Sequence, residues 1–339
     1  MKSFQKVLLA LLILLVMVPS AFAATKNYAQ TRYPIVMIHG LTGAKSMVGL
    51  IEYWYGIPAK LKKNGNDQVF VATVSSFAGE DIRVAQIEKF IEDVLRQTGA
   101  TKVNLIGHSQ GGFTARGYAA LHPDKVASIT TVATPHHGAP AADLLVMLNT
   151  YVLQPLAPSV TDALVWLCET FGLINAGANG LKLEQDALGS LALLSSEGAE
   201  AFARNVHGAG LASTCDGRRA TYHSGVMTNA AGQKVAWGYP MFSWTGSGAP
   251  PGIRSGLDLL DSSCYGLNAF RLVTKYVLGK GDNDGMVPVC SALFGDVIAS
   301  NYYMSHMDEV NQVMGKVPIG TDPVMTYVTH ANRLKNLGL

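Results

Sequence analysis

The sequence predicts an α/β fold in which a mostly parallel central sheet carries helices on both faces. Between residues 33 and 132, short apolar runs rich in β-branched side chains alternate with stretches of helical periodicity. Parallel strands need crossover helices, so this alternation is the pattern that such a sheet requires. A second observation is the segment Gly107-His108-Ser109-Gln110-Gly111, which joins one apolar run directly to a helical pattern. A third is a long apolar helical stretch that interrupts the alternation.

The first residues have the pattern of a secretory signal peptide. Lys2 and Lys6 precede an apolar run over 7–18, which is followed by Pro19-Ser20 and by the small-residue site Ala21-Phe22-Ala23. The run is shorter than the roughly 20 residues of a spanning helix, so we expect cleavage after Ala23 or one residue later, and secretion. Residues 24–339 contain no Pro/Ser-rich linker and no repeat, which favours one domain with a cap insertion.

Charge and cysteine content narrow the function classes. Two of the 26 Lys and Arg residues and none of the 24 Asp and Glu residues lie in the leader, so the mature chain is neutral. Without a basic run or a basic-aromatic stripe, the sequence gives no support for nucleic-acid binding. Four cysteines in an exported chain favour at least one disulfide, and the spacing leaves the pairing open. Cys168 lies in an apolar helical stretch, which favours a buried free thiol there.

The elements follow in chain order. The β-rich runs predict strands at 33–38, 68–74, 103–107 and 126–132, and later strand structure between 222 and 244 and at 276–278. Helical spacing predicts helices at 53–64, at 80–97, from Gln110 to about His122, and finally over 324–334. A further helix is expected to start near Asp308.

Ser109 lies where the third strand meets its helix, which predicts a nucleophile elbow. Gly107 and Gly111 flank it because the strand and the helix approach too closely there for a Cβ. The turn raises the serine Oγ above the sheet edge, beside helix N-terminal amides that stabilise negative charge. A Gly-rich turn without chemistry is the alternative for the bare motif, and the flanking strand and helix argue against it.

The loop after the first strand is the second part of the predicted site. Gly40 and Gly43 allow the segment His39-Gly40-Leu41-Thr42-Gly43 to bend back over the sheet edge. The backbone N–H of Leu41 is then a candidate oxyanion donor, paired with the N–H of Gln110. The alternative is a tight turn without a catalytic role.

A serine nucleophile needs an imidazole base, and a carboxylate must orient that base. In folds with a nucleophile elbow of this kind, the acid follows the serine in the sequence and the histidine follows the acid. Asp284 is the predicted acid because it lies in an acidic turn, after an expected strand and before a glycine. Asp282 is the alternative acid, and a solvated turn carboxylate is the reading without chemistry.

Two histidines follow the acid in sequence. His306 precedes a predicted helix on a loop, where its ring could reach the elbow, and we predict that it is the base. His330 falls inside a helical pattern that suits a packed or surface histidine. His136 and His137 precede the acid and are expected to be hydrogen-bonding residues near the cap.

The region from 141 to 194 is helical and too apolar for a single sheet-packing helix. One interpretation is ordinary core packing. The other is a cap over the catalytic corner that presents apolar surface to a lipid when it opens. The cap interpretation predicts a water-insoluble substrate.

Several segments together resemble the secreted true triacylglycerol lipases of the Pseudomonas–Burkholderia type. The resemblance covers nearly all of the mature chain and lies in His39-Gly40-Leu41, Gly56-Ile57-Pro58, 103–112, Asn283-Asp284-Gly285, 306–312 and 330–335. It implies an α/β-hydrolase fold and a helical lid within about 139–178. It also implies the triad Ser109, Asp284 and His306, with oxyanion amides at Leu41 and Gln110.

The same resemblance implies a structural calcium ion. Asp258 and Asp308 match the carboxylate ligands, and the backbone carbonyls of Gln312 and Lys316 complete the set, which suits the hard oxygen ligands that calcium prefers. Cys215 and Cys290 match the family disulfide, whereas Cys168 and Cys264 depart from its two-cysteine pattern. Dependence on a dedicated membrane-bound foldase is a further implication.

The expected function is hydrolysis of long-chain acylglycerols at a lipid–water interface, through an acyl-serine intermediate, by a monomer. A short-chain carboxylesterase or polyester depolymerase with the same triad is the alternative within the enzyme class. A secreted binding protein on an inactive hydrolase scaffold is the alternative outside it. The complete serine, aspartate and histidine set argues against the binding protein.

Overall fold

A computed structural model describes residues 27–206, 208–229 and 231–339. The expected signal peptide at 1–23 lies outside the described residues. None of the described helices combines the length and the apolar character that crossing a bilayer requires.

A seven-stranded sheet forms the centre of the fold. The strands of the fold are β1 (Ile35–Ile38), β2 (Ser46–Met47), β3 (Ile51–Glu52), β4 (Val69–Val71), β5 (Val103–His108), β6 (Val126–Val132), β7 (Tyr222–Thr228), β8 (Lys234–Gly246) and β9 (Asp296–Tyr302). The central sheet has the order β4-β1-β5-β6-β8-β7, with β9 also paired to β8, and every pairing in it is parallel except β7 with β8. A separate antiparallel pair joins β2 to β3.

Helices cover both faces of this sheet. They are α1 (Ile57–Lys63), α2 (Glu80–Thr98), α3 (Gln110–Leu121), α4 (Pro140–Leu148), α5 (Pro158–Ala178), α6 (Ala187–Leu194), α7 (Ser196–Asn205), α8 (Ser262–Leu272), α9 (Val289–Ala292) and α10 (Pro323–Asn336). The alternation expected between 33 and 132 is therefore present, and β6 has the predicted bounds. The α/β-type fold with a mostly parallel sheet is confirmed.

Alternate residues of each central strand enter different cores, because side chains on a strand point to opposite faces. In β1, Val36 and Ile38 pack with α2 and α3, whereas Ile35 and Met37 pack with α1 and α10. All four side chains are fully buried. The sheet is thus held from both sides, which fixes where the loops at its carboxyl edge emerge.

Two expected elements differ from the structure. The helix expected over 53–64 begins only at Ile57, because Gly56 has a left-handed backbone (φ 70°) that helix geometry excludes. The strand expected at 276–278 is wrong: Val273–Val277 is a π-helical turn that continues α8. Asp284 therefore follows a helix and a loop.

The predicted lid region is helical from Pro140 to Ala178 except for a break at Ala157 (φ −150°, ψ 61°). α4 continues through a π turn (Asn149–Leu153) into a short helix (Gln154–Leu156), and α5 begins after the break. The end of α5 is bonded to the β2–β3 turn and to the loop after β1, since the amide of Asn175 accepts from Val48 N (2.7 Å) and donates to Thr42 O (3.0 Å). Its outward side chains are mostly apolar and exposed, including Trp166 and Leu167.

Candidate active site

The corner between β5 and α3 holds Ser109 in a strained conformation. Its φ of 54° and ψ of −126° are unfavourable for a residue with a Cβ. A Cβ on Gly107 would stand 2.3 Å from the Gly111 carbonyl oxygen, and one on Gly111 would stand 2.1 Å from that of Ile38. Any side chain at either glycine would push the strand and helix apart, which is the steric reason for the motif.

Asp284 and His306 form a buried pair. His306 Nδ1 lies 2.7 Å from Asp284 Oδ2, and the His306 backbone N–H donates to the Asp284 carbonyl (2.9 Å). The other carboxylate oxygen accepts from Met286 N (2.8 Å) and Val287 N (2.7 Å). With the carboxylate accepting at Nδ1, the proton of a neutral ring lies there and Nε2 is left as an acceptor.

Ser109 and His306 line the same cavity of about 160 Å³, with Leu41 and Leu267 among the other walls. The serine and histidine are 8% and 6% exposed, so both are largely shielded from bulk solvent. The described residues include no hydrogen bond between Ser109 Oγ and the imidazole. A second cavity of about 290 Å³ shares Leu41 and is lined mostly by apolar side chains, the majority of them from α4, α5 and α6.

The loop after β1 lies directly against the nucleophile. A methyl group on Gly40 would stand 2.7 Å from Ser109 Cβ. Among the backbone hydrogen bonds of the described residues, none uses the N–H of Leu41 or of Gln110. Two unused donors therefore flank the serine, as an oxyanion hole requires.

Buried polar groups hold this loop. His39 Nε2 accepts from Val74 N (3.1 Å), so its Nδ1 carries the proton and donates to the Gly40 carbonyl (2.8 Å). Burial lowers the pKa of His39 to about 3, which keeps the ring neutral. Arg83 donates to the His39 carbonyl (2.6 Å) and to Thr114 Oγ1 of α3 (3.0 Å), which joins the loop to the nucleophile helix.

The alternative residues lie elsewhere. Asp282 is more exposed and pairs with Lys275 Nζ at 2.6 Å. His330 is buried between Thr130 Oγ1 (2.8 Å) and Arg333 (3.0 Å). His136 is also buried, with Arg116 at 3.1 Å, and does not line the serine cavity.

The predicted calcium carboxylates are both buried and incompletely bonded. Asp258 Oδ2 and Asp308 Oδ1 have no hydrogen-bond partner among the described residues. Burial, opposed by hydrogen bonds from Ser305, raises the pKa of Asp308 to about 8, and the Asp258 charge adds to the rise. Such oxygens need a proton or a cation, because an unpaired buried charge is costly.

The other predicted calcium ligands are backbone carbonyl oxygens that remain able to bind a cation. The backbone carbonyls of Gln312 and Lys316 accept no backbone hydrogen bond among the described residues. The Gln312 side chain is used elsewhere, since its amide donates to the Tyr53 carbonyl (3.0 Å). Three or more metal-ligating His, Cys, Asp or Glu side chains are nowhere clustered in the described chain. A set of two carboxylates and two carbonyls fits a hard cation.

The structure joins Cys215 to Cys290, with their Cα atoms 5.0 Å apart. This is the pair that the resemblance implies, and it ties the segment after α7 to α9. Cys168 and Cys264 are free thiols. Cys168 is partly exposed rather than buried, because its side chain lines the apolar cavity under α5.

Comparison with known proteins identifies the family. A family model described as the alpha/beta hydrolase fold matches residues 33–153. A triacylglycerol lipase of Burkholderia plantarii is 36% identical, with 95% of this chain and 90% of that protein covered. One of Vibrio cholerae is 38% identical, with 93% and 91% covered.

This chain belongs to the triacylglycerol lipase family. Its fold is that of the α/β hydrolases. A Bacillus licheniformis lipase in its mature form superposes with a TM-score of 0.51 at 18% identity, and the alignment covers 89% of this chain and 92% of that one. The likeness to that structure concerns the fold alone.

Sequence reasoning missed several polar residues around this lipase site. Glu309 is fully buried near Asp284, and Tyr53 and His108 lie between the loop of Gly40 and His306. His108 occupies the variable position before the elbow serine, so its place was visible in the motif. Tyr53 and Glu309 gave no local signal, because their partners are distant in sequence.

Proposed function

We propose that this chain is a secreted serine lipase that cleaves long-chain triacylglycerols at the lipid–water interface through an acyl-enzyme on Ser109. The observation that carries this proposal is a strained serine that shares a cavity with an Asp284-bound His306, next to an apolar cavity under an exposed apolar lid. The serine and histidine would thus act on the ester group, and the apolar cavity would hold the acyl chain.

In the first half-reaction, Ser109 Oγ attacks the ester carbonyl carbon and its proton passes to His306 Nε2. Asp284 holds the Nδ1 proton and stabilises the imidazolium that forms. The N–H groups of Leu41 and Gln110 donate to the oxyanion of the tetrahedral intermediate. The intermediate then breaks its bond to the leaving alcohol, which takes the proton from Nε2 and departs as a diacylglycerol.

In the second half-reaction, water takes the place of the alcohol. His306 Nε2 accepts a proton from the water, and the hydroxide attacks the acyl carbon of the ester on Ser109. The second tetrahedral intermediate uses the same two N–H donors. Its collapse breaks the acyl bond, returns the proton to Ser109 Oγ and releases a fatty acid.

The lid supports a lipid substrate. The wall of the larger cavity includes Leu145, Leu164 and Val165 from the lid, a surface that suits an acyl chain. Leu167 and Trp166 on the outer side are 58% and 67% exposed, an apolar surface that water covers poorly. A droplet would cover that surface and favour the open lid, since a ligand shifts the equilibrium towards the state it binds better.

We further propose that Asp258, Asp308 and the carbonyls of Gln312 and Lys316 hold a structural calcium ion. The ion would neutralise the two unpartnered carboxylate oxygens and stabilise the loop that carries His306, which lies two residues before Asp308. Secretion agrees with the Cys215–Cys290 disulfide, because such bonds persist in oxidising compartments. Action as a monomer and folding with a dedicated foldase are parts of the same proposal.

The deciding experiment compares wild type, Ser109→Ala and His306→Ala on emulsified long-chain triglyceride and on a soluble short-chain ester. We expect both variants to fold and to lose activity on both substrates, by a factor on the order of 10⁵ to 10⁶, because the covalent step is lost. The wild type should show a steep rise in rate when the substrate passes from monomers to droplets. Circular dichroism checks the fold of each variant.

Other outcomes would contradict the proposal in different ways. If Ser109→Ala kept more than about a hundredth of the activity, the nucleophile would lie elsewhere. A wild type active only on short soluble esters or on polyester films would be an esterase or a depolymerase. A folded wild type without hydrolysis would be a binding protein.

A further inference from the structure

Tyr53 and His108 are buried beside the proposed active site, and no step of the reaction above uses them. The Tyr53 hydroxyl lies 3.0 Å from the Gly40 amide nitrogen and 2.7 Å from His108 Nδ1. His108 Nε2 lies 3.1 Å from the backbone carbonyl oxygen of His306. A chain of three hydrogen bonds therefore runs from the loop of Leu41 to the proposed base.

The donor and the acceptor of each of these three hydrogen bonds can be assigned. The His306 carbonyl only accepts, so His108 Nε2 carries a hydrogen. Burial lowers the pKa of His108 well below its usual value, so the ring is neutral and Nδ1 is an acceptor. Tyr53 must then donate to Nδ1, and burial raises its pKa, which keeps that proton in place. Its hydroxyl oxygen is left to accept from Gly40.

The same groups are also packed tightly. The rings of His108 and His306 contact each other in a tilted arrangement, with centroids 4.6 Å apart and an angle of 41° between their planes. The centroid of the Tyr53 ring lies 5.8 Å from that of His108. Gly40 is bonded on both sides, through its N–H to Tyr53 and through its carbonyl to His39. A group in this series of hydrogen bonds that changed its partner would leave a buried donor or acceptor unpaired, which is unfavourable.

We propose that Tyr53 and His108 form a positioning relay that holds the oxyanion loop and the base histidine in register with each other. This inference rests on the proposed function. Leu41 and His306 come from opposite ends of the chain, yet their N–H and Nε2 must act on one tetrahedral centre. The relay is a short polar link between these two segments. Neither residue exchanges a proton with substrate.

The test uses Tyr53→Phe, His108→Leu and the double variant in the full-length mature protein. Tyr53→Phe keeps the ring that lines the cavity and removes only the hydroxyl. Tyr118→Phe is the matched control, because the Tyr118 hydroxyl is buried and has no hydrogen-bond partner among the described residues. His108→Gln is the conservative variant, since its amide can both donate and accept. Kinetics on a soluble short-chain ester, affinity for an alkylboronic acid and the melting temperature are measured for each.

We expect each single relay variant to lower kcat by about 10- to 100-fold with KM changed less than about twofold, because misplacement by about 1 Å has losses of this size. Boronic acid affinity should fall in parallel, since its tetrahedral adduct uses both the oxyanion loop and the serine. The double variant should lose no more than the worse single variant, because the relay acts as one unit. His108→Gln should recover part of kcat, and Tyr118→Phe should match wild type.

Three results would overturn the relay. Wild-type kcat in Tyr53→Phe is one, losses that multiply in the double variant are another, and an equal loss in Tyr118→Phe is the third. If His108→Leu does not fold, Tyr53→Phe and His108→Gln still decide between the outcomes. Activity retained by Ser109→Ala would instead remove the proposed function, so the two failures are distinguishable.

Discussion

The backbone of Ser109 shows how function determines local geometry at the scale of a residue. Its conformation costs on the order of 1–3 kcal/mol, and β5 and α3 hold it there. Glycine pays no such cost, because it has no Cβ. The strain is therefore found at the residue that we propose as the nucleophile.

This strain predicts a difference between two inactive variants. The free energy of unfolding of Ser109→Gly should exceed that of Ser109→Ala by about 1 kcal/mol, because alanine keeps the unfavourable Cβ. Ser109→Gly should therefore also unfold at a higher temperature. Thermal melts of both proteins at one pH measure the difference. Equal stabilities would mean that Ser109 is not strained in solution.

The choice between two aspartates is tested by a matched pair. Asp284→Asn should lower kcat by roughly 10² to 10⁴-fold, because the carboxylate that orients His306 is lost. Asp282→Asn should remain near wild type, since that side chain is exposed and pairs with Lys275. Steady-state rates on a soluble ester measure both. The reverse order would make Asp282 the acid.

At the scale of elements, two segments lie next to the proposed active site: the helix α5 and the loop after β9. α5 presents apolar side chains outward and lines the larger cavity inward. The loop after β9 carries both His306 and Asp308. Under the proposed function, α5 would respond to a lipid interface and the loop after β9 would respond to the calcium ion.

Placing a charge on the lid should separate the two kinds of substrate. Leu167→Asp should reduce activity on emulsions by about tenfold and leave soluble esters nearly unchanged, because a carboxylate opposes burial in a droplet. Leu121→Asp is the control: Leu121 is also 58% exposed but lies at the far end of α3. Equal losses on both substrates would mean that α5 is part of the core.

Calcium removal should act on stability before activity. EDTA should lower the melting temperature, because a ligand that binds only the folded state stabilises it. Added calcium should restore chelated wild type and not Asp258→Ala, which lacks a ligand. Metal analysis of the purified protein is the independent readout. Unchanged melting in EDTA, with no calcium bound, would remove the site and leave the pairing of Asp284 with His306 untouched.

At the scale of the whole molecule, burial of ionisable groups links stability to pH. Burial lowers the pKa of His39 and His330 to about 3, while it raises the pKa of Glu80 to about 8. Because of these two histidines, the folded protein loses stability as the pH falls below 6.5, since their rings take up protons in the unfolded chain at a higher pH than in the folded protein. The carboxyl group has the opposite effect over an overlapping range. The pH dependence of the free energy of unfolding is therefore the sum of opposing contributions. Comparing wild type with a variant at one of these residues isolates the contribution of that residue.

His330→Gln isolates one part of this balance. Wild type should lose about 2 kcal/mol relative to the variant between pH 7 and pH 5, because only wild type must keep a buried imidazole neutral. The glutamine amide can bond Thr130 and Arg333 in place of the ring. Urea unfolding across this range measures the difference. Parallel stability curves would mean that His330 is not buried in solution.

The sequence by itself determined the elements and the elbow, because these depend on local patterns. Apolar alternation and helical spacing set the order of strands and helices through Val132, and Gly107 and Gly111 marked the corner of Ser109. The π turn at Val273–Val277 was mistaken for a strand because a short apolar run has no decisive periodicity.

Only the tertiary structure decided which polar residues meet. Asp282 and Asp284 have nearly the same local sequence, and they differ because one is buried against His306 while the other reaches Lys275. Tyr53 and His108 carried no signal of their relay, since its ends lie on segments that only the folded sheet brings together. A hydrogen bond between distant segments depends on three-dimensional distance, and the local pattern of a chain does not encode that distance.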